Sequence, residues 1–323
     1  MRYLVSGGAG YIGSVVAAEL VRGGHDVTVL DDLSTGHRDA VAPGARFVER
    51  SITEAGDVLG ADAYDGVLHF AARSLVGESV VKPESYWNNN VVGTVALLDA
   101  VRTHGVPRFV FSSSAATYGD TTVNPITEEL APQPTNPYGA SKLAVDLALA
   151  GYAVAHGFGA VSLRYFNVAG ANGAFGERHA TETHLIPIAL QVAAGARESL
   201  SVYGTDYPTP DGTCVRDYVH VLDLADAHIR ALDACRPGHH EVVNLGSGRG
   251  YSVREVVDTA RAVTGRELTT VEAERRPGDP AVLVASNAKA ADLLGWVPTR
   301  GLEQMVRDAW TFAQAQPPQG KQQ

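Results

Sequence analysis

Through its first 165 residues the chain alternates short β-rich runs with longer helix-patterned stretches, and this alternation constrains the fold more than any other feature. Arg2–Ser6, Asp26–Leu30, Arg46–Glu49, Gly66–Phe70, Arg108–Ser112 and Ala160–Tyr165 read as six strands. Between them, Tyr11–Arg22 places Ile12, Val15, Val16 and Leu20 on one helical side, and Asn89–Thr103 and Tyr138–His156 read as further helices. Strands separated by helices of this length pair in parallel through βαβ crossovers. Such strands are buried on both faces, so they read as continuous apolar runs. The fold expected is α/β: a doubly wound, mostly parallel Rossmann sheet with a smaller C-terminal α/β substrate domain.

The second half is less regular. Gly170–Ala180 is polar and glycine-rich and reads as a domain crossing, followed by a helix near Leu185–Ala194 and a Pro/Asp/Gly/Thr loop over Gly204–Cys214. Leu222–Ala234 and Val253–Val263 carry helical patterns, and Glu241–Leu245 reads as a strand that rejoins the first sheet. Gln314–Gln323 is a polar, proline-bearing tail without a packing signal. At 323 residues, two domains are expected: residues 1–168 with a return near 215–250, and residues 169–323.

The turn after the first strand is Ser6-Gly7-Gly8-Ala9-Gly10-Tyr11-Ile12-Gly13. In a G-x-x-G-x-x-G turn the first glycine permits the tight exit, the second lets backbone approach a pyrophosphate, and the third lets helix and sheet pack closely. The helix start then presents free N–H groups and the positive dipole end to phosphates. Asp31 and Asp32 close the second strand, 18 residues beyond Gly13. A carboxylate there accepts from ribose hydroxyls and repels a 2′-phosphate, which favours NAD over NADP. Arg38, close by in sequence, is the feature that would favour NADP.

Pro137-Tyr138-Gly139-Ala140-Ser141-Lys142 opens a helix, and its Tyr138 and Lys142, at i and i+4, share a face. A phenol titrating near 10 is ionised roughly one part in a thousand at pH 7, a handicap of about 4 kcal/mol. A neighbouring ammonium favours the phenolate, so the pair suits an alcohol's general base or acid. Lysine occurs only at Lys82, Lys142, Lys289 and Lys321. Ser114 leaves the fifth strand at its carboxyl end, where open α/β sheets bind ligands, and can relay a proton to Tyr138.

Other classes fit poorly. With 26 Lys+Arg against 36 Asp+Glu, the net charge of -10 lacks a nucleic-acid footprint. Cys214 and Cys235 form no C-x-x-C pair, so neither a zinc site nor a disulfide framework is indicated, and no metal is expected. No G-x-S-x-G elbow supports a serine hydrolase. No apolar run reaches the ~20 residues of a membrane span, and the N-terminus breaks at glycine before a signal-peptide core. A cytoplasmic protein is expected.

GGAGYIGS (Gly7–Ser14), HFAARSLVGESV (His69–Val80), NNNVVGT (Asn88–Thr94), FSSSAATYG (Phe111–Gly119), PYGASK (Pro137–Lys142), LRYFNVAGA (Leu163–Ala171), HLIP (His184–Pro187), DYPTPDGTCVRDYVHV (Asp206–Val221) and RRPGDP (Arg275–Pro280) together span nearly the whole chain. On these motifs the sequence resembles the extended short-chain dehydrogenase/reductase family, within it the branch that epimerises nucleotide sugars. The resemblance implies reversible 4-epimerisation of UDP-glucose and UDP-galactose with tightly bound NAD. It makes Tyr138, Lys142 and Ser114 catalytic. It assigns NAD contacts to Gly7, Gly10, Tyr11, Ile12, Gly13, Asp31, Ser51, Ile52, Phe70, Ala71, Asn89, Tyr138, Lys142 and Phe166. The UDP-sugar falls to Ser114, Asn167, His184, Leu185, Tyr203, Arg216, Arg276 and Leu283; an arginine fork suits a diphosphate.

There are departures from the family pattern. Ser74 sits where some members carry a lysine near the cofactor, and Ser6 replaces a frequent threonine. Leu283 holds the position that gates the sugar pocket, where its bulk implies preference for UDP-hexoses over UDP-N-acetylhexosamines. The Asp-Glu pair of related dehydratases is missing near Ala115-Ala116, which disfavours 4,6-dehydration. Action on UDP-pentoses or UDP-uronates, and a non-catalytic NAD sensor, are the alternatives. The resemblance also implies a homodimer joined through Asn89–Thr103 and Tyr138–His156.

Overall fold

The computed structural model describes residues 1–276 and 279–316. The strands are β1 (Arg2–Ser6), β2 (Asp26–Asp31), β3 (Arg46–Glu49), β4 (Gly66–His69), β5 (Arg108–Ser114), β6 (Gly159–Tyr165), β7 (Asn167–Ala169), β8 (Leu200–Tyr203), β9 (Val215–His220), β10 (His240–Leu245), β11 (Gly250–Ser252), β12 (Thr270–Ala273) and β13 (Val282–Leu283). The helices are α1 (Tyr11–Arg22), α2 (Ala55–Leu59), α3 (Val76–Val81), α4 (Pro83–Tyr86), α5 (Gly93–Thr103), α6 (Pro137–His156), α7 (Leu185–Ala193), α8 (Val221–Ala234), α9 (Val253–Thr264), α10 (Ala288–Leu294) and α11 (Leu302–Ala315).

Seven strands form one parallel sheet in the order β10-β6-β5-β4-β1-β2-β3. The expected Rossmann architecture is therefore present, and β10 is the strand that returns to the sheet. Successive strands are added on opposite sides of β1, with β2 and β3 to one side and β4, β5 and β6 to the other. That is the topological switch point, where a crevice opens outside the carboxyl ends.

Side-chain alternation divides the core. Tyr3 and Val5 of β1 join Val15, Val16 and Leu20 of α1 and Leu224 and Leu232 of α8 on one face. Leu4 points the other way, with Leu97, Leu98 and Val101 of α5 and Val145 and Leu149 of α6. A third core gathers Ile186 and Leu190 of α7, Val256 of α9, Met305 of α11 and Tyr218 of β9. There β9 is flanked at its start by β11 and β13 and at its end by β7, while β8 pairs with β12.

Several elements differ from expectation. The helix expected from Asn89 is continuous with earlier turns: α4 runs through a wide π-type stretch, Trp87–Val92, into α5. The expected tail begins inside α11, which continues to Ala315; residues 317–323 lie outside the described residues. Pro137 at the first position of α6 needs no intrahelical N–H partner, and Asn136 caps it by accepting from Gly139 N at 2.9 Å.

Candidate active site

A cleft of about 1110 Å³ lies over the carboxyl ends of β1, β2, β4, β5 and β6, with its far wall supplied by the second half. Gly7 adopts φ +75°, and a Cβ there would sit 2.4 Å from Ala71 N. A Cβ on Gly13 would lie 2.2 Å from Gly7 O. Both glycines are demanded by the protein itself. Gly10 is different: a Cβ there meets only Gly7 O, at 3.3 Å, and its open side faces the cleft. Its bareness serves whatever lies over the turn, as a pyrophosphate cradle requires.

Asp31 is buried beneath this turn. Its Oδ2 accepts from Ala9 N at 3.0 Å and its Oδ1 from Leu33 N at 2.8 Å. Burial pushes the carboxyl up and the two backbone donors oppose that rise. Arg38 turns away, pairing with Glu49 at 2.6 Å and stacking over Phe47, so no arginine from that loop lines the cleft where a 2′-phosphate would sit.

Tyr138, Ser114 and Lys142 meet on the same wall. Lys142 is 3% exposed; its Nζ donates to Ser112 O at 2.8 Å and lies 5.9 Å from the centroid of the Tyr138 ring. One helical turn further, Asp146 receives Arg164 in a buried ion pair at 2.8 Å. These two contacts pin α6 to β5 and β6 and so fix Tyr138 against Ser114. Burial raises the phenol's pKa, and the Ser114 hydroxyl pulls it back. The expectation that Lys142 lowers this pKa is not met in the protein alone: desolvation of the phenol dominates, and the group that opposes it is the Ser114 hydroxyl. Burial also drives the lysine itself down to about 8, against the charge of Asp146.

Asn89, Phe70, Ala71, Ile52, Tyr11, Ile12, Phe166, Asn167, His184, Arg216, Arg276 and Leu283 all face the cleft, as do Ser74, Ala115 and Ala116. Arg216 is ion-paired with Asp279, and the Arg276 guanidinium sits 4.0 Å over the Tyr203 ring. Three expected contact residues do not line it. Ser51 is spent as a cap, accepting from Thr53 N in a box closed by Glu54. Leu185 opens α7 and packs into the third core. Tyr203 lies behind Arg276 and reaches the cleft only through it. Pro277 and Gly278 of the RRPGDP motif fall outside the described residues.

Sequence reasoning missed two groups. Asn90, buried in the π-type stretch, grips the chain after β4: its Oδ1 accepts from Arg73 N at 2.8 Å, and its Nδ2 donates to Arg73 O at 3.0 Å and Ser141 Oγ at 3.1 Å. Glu177, His179 and Glu182 surround His184, and their E-x-H-x-x-E-x-H spacing was the available signal. The nearby carboxylates of Glu177 and then Glu182 carry His179 up to about 9. For His184 burial opposes the same two partners, which nonetheless raise it to about 10.

Residues 3–246 match the family described as the NAD dependent epimerase/dehydratase family. A protein of Corynebacterium glutamicum named UDP-glucose 4-epimerase is 56% identical over 317 residues, 98% of this chain and 96% of that one. A crystal structure of a UDP-glucose 4-epimerase superposes with a TM-score of 0.95 at 47% identity, covering 98% of this chain and 99% of the other. The Brucella ovis UDP-glucose 4-epimerase, solved in complex with NAD, gives 0.92 at 47% identity over 96% and 97% of the two chains. With its glycine turn, its buried acid after β2 and its Tyr-Lys helix in one cleft, this chain belongs to the NAD dependent epimerase/dehydratase family.

Proposed function

We propose that this chain interconverts UDP-glucose and UDP-galactose by inversion at C4, with NAD as its resident cofactor. The observation that carries this reading is the Tyr138 phenol, set beside Ser114 and above Lys142 in the cleft that also holds the glycine turn.

The residues present fit the dinucleotide. The uncrowded face of Gly10 and the start of α1 suit its pyrophosphate, and each Asp31 oxygen keeps a lone pair for a ribose hydroxyl. When bound, NAD supplies the acceptor and then the donor of hydride. Tyr138 takes the proton of the 4-hydroxyl as C4 is oxidised and returns it after the 4-keto sugar has turned over. Ser114 shortens the proton path. Lys142 holds the wall of α6 in place and adds positive charge near the phenol. Arg216 and Arg276 suit the diphosphate, leaving the sugar free to present either face. Binding energy then sits on the nucleotide, away from the reacting carbon. Leu283 narrows the sugar end and favours unsubstituted hexoses.

The same reading makes the protein a cytoplasmic homodimer. Val92 in Asn89–Thr103, and Leu147 and Val154 in Tyr138–His156, are exposed apolar side chains on the segments that would meet. Among the described residues no helix is long and apolar enough to cross a membrane. Sedimentation velocity checks the dimer. The decisive test supplies purified protein with UDP-galactose and no added NAD: UDP-glucose should accumulate. Failure both with and without NAD overturns the proposal.

A further inference from the structure

Between β7 and α7 the chain gathers two carboxylates and two imidazoles that the epimerisation chemistry does not need as a set. One ligand-capable atom from each of Glu177, His179, Glu182 and His184 lies within 4.8 Å of the other three. Glu177 Oε1 is 3.0 Å from His179 Nδ1 and 2.8 Å from His184 Nδ1. Glu182 lies 2.9 Å from His184 Nδ1 through one oxygen and 3.6 Å from His179 Nδ1 through the other.

Hydrogen bonding accounts for one side of this set: Glu182 Oε1 accepts from Thr183 N and His184 N, both at 2.7 Å, and lies 2.9 Å from His184 Nδ1. Both imidazole Nδ1 atoms converge on the same Glu177 oxygen, and His179 Nδ1 is buried without a well-directed hydrogen bond. Both carboxylate side chains are less than a tenth exposed. Among the described residues neither pairs with a lysine or arginine. In the metal-free protein the carboxylates pair with the imidazoles, and four ligand-capable atoms gathered within 4.8 Å of one another are what a cation requires. Ligand atoms about 2.0–2.1 Å from a tetrahedral zinc ion stand roughly 3.3–3.4 Å apart. The observed separations of 2.8–3.6 Å bracket that spacing.

We infer that Glu177, His179, Glu182 and His184 form a binding site for a divalent transition-metal cation of the zinc class. Two imidazoles with two carboxylates favour such an ion over magnesium or calcium, which take oxygen ligands. Four protein ligands make a closed, structural site rather than a catalytic one. Coordination through Nδ1 leaves His184 Nε2 free to face the cleft.

The location gives the ion a task. The segment it would fasten is already tied to the dinucleotide half: Tyr11 OH donates to Gly170 O at 2.7 Å, His37 Nε2 meets Arg178 O at 3.0 Å, and Arg178 pairs with Asp39 at 2.7 Å. A bound cation would lock this strap across the cleft.

The site does not depend on which sugar the protein turns over, so its test is separate. The full chain, stripped with chelator and dialysed, is titrated with Zn²⁺ by calorimetry and with Co²⁺ by visible absorption. One equivalent of Zn²⁺ should bind per chain, and Co²⁺ should show the intense d–d bands of a four-coordinate site. Glu182→Gln, nearly isosteric, and His179→Ala should each weaken Zn²⁺ binding by about 100-fold or more, with circular dichroism confirming that each variant is folded. Absence of stoichiometric uptake by the unaltered chain overturns the assignment, as does uptake that Glu182→Gln leaves unchanged.

Discussion

Lys142 Nζ donates its hydrogen bond to the Ser112 carbonyl, 2.8 Å away at the end of β5, while the Tyr138 ring that shares its helix face is centred 5.9 Å off. The lysine therefore acts first as a tie between helix and strand. Burial brings its pKa from 10.5 to about 8. Because the folded value lies below the unfolded one, the buried charge costs stability below pH 8, and that cost fades as pH rises toward 10.5. Catalysis should follow the charge in the opposite sense. The pH profile of kcat/KM should turn down with an apparent pKa near 8, where the ammonium is lost. A profile flat to pH 9.5 would show that the charge is dispensable.

Tyr138→Phe removes the proton carrier and leaves the ring's packing. Turnover should fall by about 10²–10⁴-fold, the usual worth of a positioned acid–base group. Cofactor content should be unchanged, because the glycine turn and Asp31 are untouched. Ser114→Ala should cost less, mainly in kcat, since it leaves the phenol in place but lets burial raise its pKa further. Steady-state rates beside the absorbance of released NAD separate the two effects. Loss of NAD from Tyr138→Phe would mean that the tyrosine holds the cofactor rather than moving the proton.

The parts of this site read from sequence were those fixed by local chemistry. A positive φ at Gly7 and the i, i+4 face of Tyr138 and Lys142 follow from the chain within a few residues. The long parallel strands were legible because both their faces are buried. What escaped depends on distant partners. The two residues of β13 and three of β7 and β11 are strands only because β9 lies beside them. The commitment of Lys142 to Ser112 depends on how α6 crosses β5. The capping box that Ser51 forms with Thr53 N and Glu54 depends on the chain turning into a short helix there, which the sequence around it does not announce. The wide turn at Trp87–Val92 carries no breaker residue; Asn90 is drawn inward by Arg73 and Ser141.

His69 and His228 make the fold acid-sensitive. His69 is buried between Ser6 Oγ, at 2.7 Å, and Thr94 Oγ1, at 2.8 Å, and burial with nearby Lys142 pushes it down to about 3. His228 lies among Phe70 and Tyr165 and is driven by burial to about 4. Below pH 6.5 the unfolded chain takes up protons that the folded chain refuses, so stability falls with pH. At pH 5 each residue should cost on the order of 2 kcal/mol relative to neutral pH. His228 Nε2 is buried without a hydrogen-bond partner, so His228→Leu should remove part of the loss. Urea unfolding at pH 7 and pH 5 measures it. Equal losses in the variant and the parent chain would place the acid sensitivity elsewhere.

Leu283 lines the cleft from β13, in register with Arg216 of β9, and on the proposed reading the two mark its sugar and diphosphate ends. The pairing fixes its distance from Arg216, because the two residues sit opposite each other on neighbouring strands. A side chain held this way cannot swing aside cheaply to admit a larger 2-substituent. Leu283→Cys shortens the wall while keeping an apolar surface, so it should admit the N-acetyl group. The expected gain in kcat/KM for UDP-N-acetylglucosamine is at least 10-fold, with less than a 5-fold change for UDP-galactose, consistent with the ~1–3 kcal/mol that a hydrophobic pocket discriminates per group. Unaltered selectivity would mean that the strand pair moves with the substrate and that another residue sets the size limit.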